Sequence, residues 1–498
     1  MKIGILEILT FPASSLSESC YGALVSRQYS SIMPQTVSYW CRSLGHEVYY
    51  NTYWGVGNIL KKLPKDLDFV FVSCPTHLSH LAYIVGKFYK NRAITVLGGP
   101  HAKCYPEDSL RFFDLVVKRC DKTTIQSILN KEYAKGTTID TEFAKLEFPS
   151  VEQRFPEIKK SFILDRSFLS VVPYLTSVGC PNRCPFCVDW NSEYSPLSID
   201  LIREDFYFLS KTIPSAIIGF HDPNFGTNID EVLDLMISIN FQNPYVMECS
   251  LDSLTSTVVK KLKKTNCVLI APGIESWTAY SQKSGCDKCD PMEKLEHIVG
   301  VLENLKEVTN YIQSNFIFGL DTDEGDTPLR LTRELCSRVP SIWPNVNLPM
   351  AFAGTPLHKQ LMKQDRLLPM PFSFCVNPYL TIVPKNYDIE DFYLRFTNFI
   401  AFVTNRASLS KRIQGRALLE KIVHVFRSGA MKLDLVQMNR ILKEIRKDKG
   451  FRRFHSGESK ILPQYYLRKT QEFFGQLYSM FSPEEQHWLL NPLTFVDQ

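Results

Sequence analysis

No stretch of this 498-residue chain approaches the ~18 consecutive apolar residues of a membrane-spanning helix, and it contains no internal repeat or low-complexity tract. Residues 1–7 carry an acid and are too short in apolar length for a secretory leader, so a cytoplasmic setting is expected. A dense basic patch is missing as well. The net charge is only +5, and nucleic acid is not an expected partner. Hydrophobic residues make up 44% and charged residues 22%, the balance of an ordinary globular protein. At ~150 residues per domain, the length allows two to four domains. The 14 cysteines, with no leader in view, point to a reducing compartment. There they are metal ligands or core residues more often than disulfides.

The chain divides by pattern. In residues 1–135, apolar runs at 3–9, 48–50, 68–73, 93–97 and 114–117 alternate with helical stretches such as 77–89, which predicts a parallel sheet covered on both faces. Ligands of such sheets sit beyond the carboxyl ends of the strands, where Ser73, Gly98 and Gly99 fall. Residues 136–165 are polar and aperiodic and read as a linker. In 166–385, strands are expected at 171–177, 216–220, 245–250, 268–273, 311–318 and 345–350, with helices between them. Six parallel strands with active loops at their carboxyl ends suggest a partial (β/α)6 barrel. From 386 to 498 the pattern is helical, with Phe392, Phe396, Phe399 and Val403 on one face and Leu418, Ile422 and Val425 on another. The class is α/β throughout the first two domains, followed by a C-terminal helical domain.

The densest chemical signal is Cys180-Pro181-Asn182-Arg183-Cys184-Pro185-Phe186-Cys187, a C-x3-C-x2-C loop directly after a predicted strand. Three thiolates there can hold three corners of a cubane iron–sulfur cluster and leave the fourth iron open. A closed zinc site needs a fourth ligand, and no Cys or His nearby supplies one. The loop, with its aromatic Phe186 before the last cysteine, resembles the signature of the radical S-adenosylmethionine (SAM) superfamily. That resemblance implies that Cys180, Cys184 and Cys187 ligate a 4Fe–4S cluster. It also implies that SAM chelates the open iron and that one electron cleaves SAM to a 5′-deoxyadenosyl radical. An electron donor such as a flavodoxin or ferredoxin, and a small-molecule substrate, are the implied partners. Further segments resemble the later strands of the family. His221-Asp222-Pro223-Asn224-Phe225 would place Asp222 near the methionine end of the cofactor. Glu275 and Ser276 would contact its ribose or methionine, and Phe316 and Gly319 its adenine. Gly354-Thr355-Pro356-Leu357 looks like a segment of cobalamin-dependent members.

A Rossmann-like domain ahead of the barrel is the layout of the cobalamin-binding subfamily, and Ser73, Gly98 and Gly99 match its small-residue positions. Cobalamin is therefore an expected cofactor, although the loop at 10–16 lacks the cobalt-ligating His of many such domains. Lys118-Arg119-Cys120-Asp121 replaces a Gly-Glu-rich turn. His101 is read as a loop histidine bonded to backbone, Cys74 and Cys104 as packed thiols, and Cys286 and Cys289 as free thiols. The expected activity is methyl transfer to an unactivated centre of a small-molecule or natural-product substrate. Two alternatives stay open here: a cobalamin-independent radical rearrangement or cyclisation enzyme, and a non-catalytic iron–sulfur electron carrier or sensor.

Overall fold

In the computed structural model, which describes residues 1–141, 147–286, 288–309 and 311–492, the two strand-and-helix series form two six-stranded sheets. The first contains β1 (Lys2–Ile8), β2 (Glu47–Tyr53), β3 (Phe69–Ser73), β4 (Ile94–Gly98), β5 (Leu115–Arg119) and β6 (Thr137–Asp140). Their order is β2-β1-β3-β4-β5-β6, and every pairing is parallel. The unbroken apolar run of β3 suits a strand covered on both faces. Phe69 and Phe71 enter one core with Ile3, Trp40 and Val96. Val70 and Val72 enter the other with Leu6, Tyr83 and Leu97. That second core also takes Phe474, Tyr478, Phe481 and Leu489. The last helices, Gln464–Phe474 and Pro483–Leu490, therefore seal the N-terminal sheet instead of standing apart as a domain over 386–498.

The stretch expected to be a linker is built into the body. β6 extends the first sheet, although only Ile139 of its four residues is buried, so it carries no apolar run to read. The helix Val151–Ile158 clasps both halves of the molecule. Glu157 accepts hydrogen bonds from Ser38 Oγ at 2.8 Å and Arg42 Nη1 at 2.6 Å, and the Val151 amide donates to Asp205 at 2.6 Å.

The second sheet contains β7 (Val171–Tyr174), β10 (Ile217–Phe220), β11 (Tyr245–Ser250), β12 (Cys267–Glu275), β13 (Tyr311–Ile317) and β14 (Ile342–Asn347). They run parallel in the order β14-β13-β12-β11-β10-β7, and β7 and β14 do not pair with each other. This is the expected partial barrel, open along one side. Between β7 and β10 the chain makes a short antiparallel ribbon of β8 (Ser177–Val178) and β9 (Ser195–Pro196), with the three cysteines in its loop. Phe392, Phe396, Phe399 and Val403 of the helix Ile389–Thr404 are buried against the barrel. The second apolar face is not: Leu418, Ile422 and Val425 of the helix Leu418–Lys447 are 75%, 54% and 50% exposed. No helix among the described residues is long and apolar enough to cross a membrane.

Candidate metal centre and cofactor cleft

The cysteine loop is held from four directions. Gly179, just before Cys180, has φ +69°, and a Cβ there would land on the Glu193 carbonyl oxygen. Only glycine lets the two arms of the ribbon meet at this point. Asn182 donates to Ser250 Oγ at 2.9 Å, and Ser250 is in turn bonded to Asn224 through both its amide and its hydroxyl, each at 2.9 Å. The Gly354–Leu357 segment grips the far side. Gly354 O accepts from Trp190 Nε1 at 3.1 Å, and the Leu357 amide donates to Pro185 O at 2.9 Å. From the N-terminal domain, Lys103 reaches Asp189 at 2.6 Å. Asp189 lies two residues past Cys187, and its own amide points at the Cys187 sulfur at 3.4 Å.

Cys180 and Cys184 are buried and Cys187 partly so. Burial raises all three thiols above their ordinary pKa, and the Lys283 ammonium pulls each of them back towards thiolate. The donor set therefore suits a soft, positively charged metal group. Among the described residues, no group of three His, Cys, Asp or Glu side chains is drawn together around one point. A four-iron cubane takes its thiolates at separate corners. Tyr280 stacks over Phe186, with centroids 5.9 Å apart and planes 9° apart, and roofs the loop.

Lys283 is the site residue that sequence reading missed. Its Nζ lies 2.8 Å from Glu275 Oε1, and both side chains are largely buried. Burial works to lower its pKa, yet Glu275 and the Cys184 and Cys187 sulfurs raise it above the usual lysine value. Glu275 has φ +66°, and a side chain at Gly273 would collide with the pair. Glu248 was not singled out either, and His221 entered only as the first residue of the 221–225 segment. Both keep exposed surface although neighbouring atoms enclose them, so they line the hollow of the barrel. Burial raises the Glu248 carboxyl and lowers the His221 imidazole.

Several expected cofactor contacts have other partners here. Asp222 is 3% exposed and accepts from the Thr176 amide (2.9 Å), Thr176 Oγ1 (2.7 Å) and Ser177 Oγ (2.7 Å). It pins the turn from β7 into the ribbon. Ser276 closes a local turn with Thr278. Phe316 points away from the hollow and stacks on Trp277 at 5.4 Å. At Gly319, φ is +105°, and a Cβ would meet the Phe392 ring at 2.6 Å. The glycine is required by that packing.

In the N-terminal domain, Ser73 and Gly98 are register partners at adjacent strand ends. A Cβ on Gly98 would find nothing closer than Val117 O at 3.9 Å, so the trough beside it is open. Gly99 has φ +85° and packs on Ser73 Oγ, an internal reason for its lack of a side chain. Lys103 lies in the helix Gly99–Cys104 that follows, so a single salt bridge to Asp189 joins this end of the first sheet to the cysteine loop. His101 is fully buried and hydrogen-bonded to Tyr83 OH at 2.7 Å, not to backbone as expected. Cys74 and Cys104 are buried core thiols. Lys118 and Arg119 both pair with Asp140, and Asp121 caps the helix Lys122–Leu129. Cys286 and Cys289, expected free, form a disulfide with Cα atoms 5.5 Å apart, a separation within normal disulfide reach.

Residues 174–333, which run from the end of the first barrel strand through the C-x3-C-x2-C loop and most of the half-barrel, match the family described as the Radical SAM superfamily. Two methyltransferases of Chlorobaculum tepidum are similar in sequence. Bacteriochlorophyllide d C-12(1)-methyltransferase is 22% identical over 272 residues, covering 51% of this chain and 56% of that protein. Bacteriochlorophyllide d C-8(2)-methyltransferase is 26% identical over 297 residues, covering 52% and 61%. The match thus spans little more than half the length of either relative. Among solved structures, the cobalamin-dependent SAM radical enzyme OxsB, with aqua-cobalamin and SAM bound, aligns with TM-score 0.57 at 13% identity over 98% of this chain and 78% of that one. The radical SAM methyltransferase TsrM of Kitasatospora setae, with cobalamin and a [4Fe-4S] cluster bound, aligns with TM-score 0.54 at 11% identity over 94% and 99%. At these identities the likeness is one of fold, and it extends over both sheets.

Proposed function

We propose that this protein is a radical SAM methyltransferase that uses cobalamin and acts on an unactivated centre of a small molecule. The observation that carries the reading is one salt bridge. The Lys103–Asp189 bridge ties the helix at the Gly98-Gly99 trough to the loop of Cys180, Cys184 and Cys187, which supports a reading with two cofactor sites facing one space. The names of the sequence relatives and the fold of OxsB and TsrM support the same reading.

Cys180, Cys184 and Cys187 are the proposed ligands of a 4Fe–4S cluster, and the trough of Ser73 and Gly98 the proposed seat of cobalamin. When bound, these groups and SAM supply one-electron bond cleavage and a transferable methyl group. The chain's own residues set the conditions. Lys283 offsets the negative charge that three thiolates concentrate in a low-dielectric pocket. It also fixes the Glu275 carboxylate at the rim of the hollow, where a cationic or hydroxyl-bearing ligand could meet it. Tyr280 over Phe186 keeps water off the loop. Glu248 and His221 are the titratable groups within reach of a substrate in the hollow, available to hold or move a proton there.

The test is anaerobic reconstitution with iron, sulfide and hydroxocobalamin, followed by dithionite and SAM. The expected result is a brown, cobalamin-loaded protein that forms S-adenosylhomocysteine, with 5′-deoxyadenosine or methylated product once a substrate is supplied. Bacteriochlorophyllides are among the trial substrates. Cys184→Ala should lose the cluster's visible absorption. A full four-iron cluster in that variant would sink the ligand assignment, and a chain that takes up no cobalamin would sink the methyl-transfer reading.

A further inference from the structure

At the foot of the half-barrel, below the hollow, a set of buried polar groups lacks partners. The helix Leu418–Lys447 crosses the start of β13 and β14 and lays His424 on Tyr311, with ring centroids 4.9 Å apart. Arg427, one turn on, lies 5.2 Å from the Trp343 ring and 5.9 Å from the Tyr311 ring. Arg412 covers Trp343 at 4.4 Å. Arg412, His424 and Ser428 are 3%, 1% and 2% exposed. Arg412 Nε and Nη2 donate to the carbonyls of Ile342 and Val403, but Arg412 Nη1, both His424 nitrogens, Ser428 Oγ and Trp343 Nε1 find no partner among the described residues. Arg427 donates weakly to Asn345 Oδ1 at 3.5 Å and, among the described residues, forms no ion pair with a carboxylate. Buried polar atoms left unpaired are costly, so this concentration calls for a partner that the described residues do not supply.

Charge names the ligand. Arg412, Arg416 and Arg427 converge here, against Glu420, which sits 3.8 Å from Arg416. Asp434 lies further along the same helix, where Tyr21 senses both it and Arg427. Burial, helped by the three arginines, keeps His424 neutral, with its pKa lowered to about 4. That leaves the imidazole one N–H to donate. The foot also communicates with the hollow. Arg427 touches Asn345, Asn345 donates to Asn315 Oδ1 at 3.1 Å, and Gln313 donates to the same oxygen at 2.9 Å, all inside the barrel. At ~3.3 Å per residue, β13 separates foot from rim by about 20 Å. Ile422 and Phe426, two residues to either side of His424 on this helix, are exposed apolar side chains, as are Leu24 and Tyr29 of the N-terminal segment.

We infer that this foot is a subsite for an oxyanion, a carboxylate or phosphate, carried on the tail of an elongated apolar substrate. Its reacting end would extend up the hollow towards the cysteine loop. The assignment rests on the methyltransferase reading only for the identity of that reacting end.

The probes are octanoate, octyl phosphate and uncharged octanol, titrated calorimetrically into the full chain with no cobalamin or SAM added. At least one of the two anions should bind saturably, one per chain, and more tightly than octanol. Arg427→Gln should weaken that binding at least tenfold, about 1.4 kcal/mol, with an unchanged melting profile, and Arg427→Lys should restore part of it. Preference between octanoate and octyl phosphate then tells carboxylate from phosphate. His424→Gln is a second variant, should Arg427→Gln fold poorly. Equal affinity for octanol, no anion binding, or wild-type affinity in both variants would overturn the inference. None of those results bears on cluster or cobalamin uptake, so the two readings fail separately.

Discussion

Lys283 and Glu275 show what a single buried contact contributes. Removing one partner of a largely buried ion pair leaves the other charge uncompensated, at a cost of ~3–5 kcal/mol. Lys283→Met should therefore lower the urea-unfolding free energy by about that much. Adding Glu275→Gln should recover most of the loss, because the stranded carboxylate is then gone. If the double variant were no more stable than the single one, the two residues would not act as a unit. The pair was half legible in the sequence. Glu275 stands in a recognisable segment, whereas Lys283 sits in a single 3-10 turn, Gln282–Ser284, with no motif around it. Its role follows only from three-dimensional proximity to Cys184 and Cys187. Asp222 is the converse case. Its place after the second barrel strand is readable, but the direction of its side chain is not, and Thr176 and Ser177 claim it.

Strands were the most legible elements, because a covered parallel strand is a short run of apolar residues. β11 falls on the expected 245–250, and β3 and β13 end within a residue or so of expectation. The β8–β9 ribbon escaped notice. With two residues per arm it has no periodicity, and its defining constraint is steric, at Gly179. A methyl group there would push the Glu193 carbonyl away and open the ribbon at the entrance to the cysteine loop. Gly179→Ala should keep the barrel folded, with a far-ultraviolet circular dichroism spectrum like that of the parent. After reconstitution it should hold well under half of the parent's iron, judged against the ~4 irons of one cubane. Full iron loading would show that the loop does not depend on this close approach.

Across the whole molecule, among the carboxyl groups that burial pushes up, four move furthest: Glu7 to about 7, and Asp205, Asp323 and Asp434 to about 6. A raised folded-state pKa means that the native chain holds protons the unfolded chain has released. Stability from these groups is therefore fully present below about pH 4 and drains away as pH climbs through 6 to 7. Glu7 alone accounts for on the order of 3 kcal/mol. Thermal melts should drop between pH 5 and 8, and Glu7→Gln should flatten that fall and be the more stable chain above pH 7. A variant with the parent's pH profile would contradict the account. The open barrel has a consequence at this scale too. Its two unpaired edges are each blunted by a neighbour's side chain. Gln28, from the N-terminal segment, accepts the Val171 amide at 2.6 Å, and Arg412 and Arg416 donate to the Ile342 and Ser341 carbonyls at 3.1 Å each. Cut free of both flanks, the central domain would present two sticky borders able to recruit strands from other copies. The flanking segments thus act as guards against self-association, and the piece that carries the cysteines is one that cannot safely travel alone.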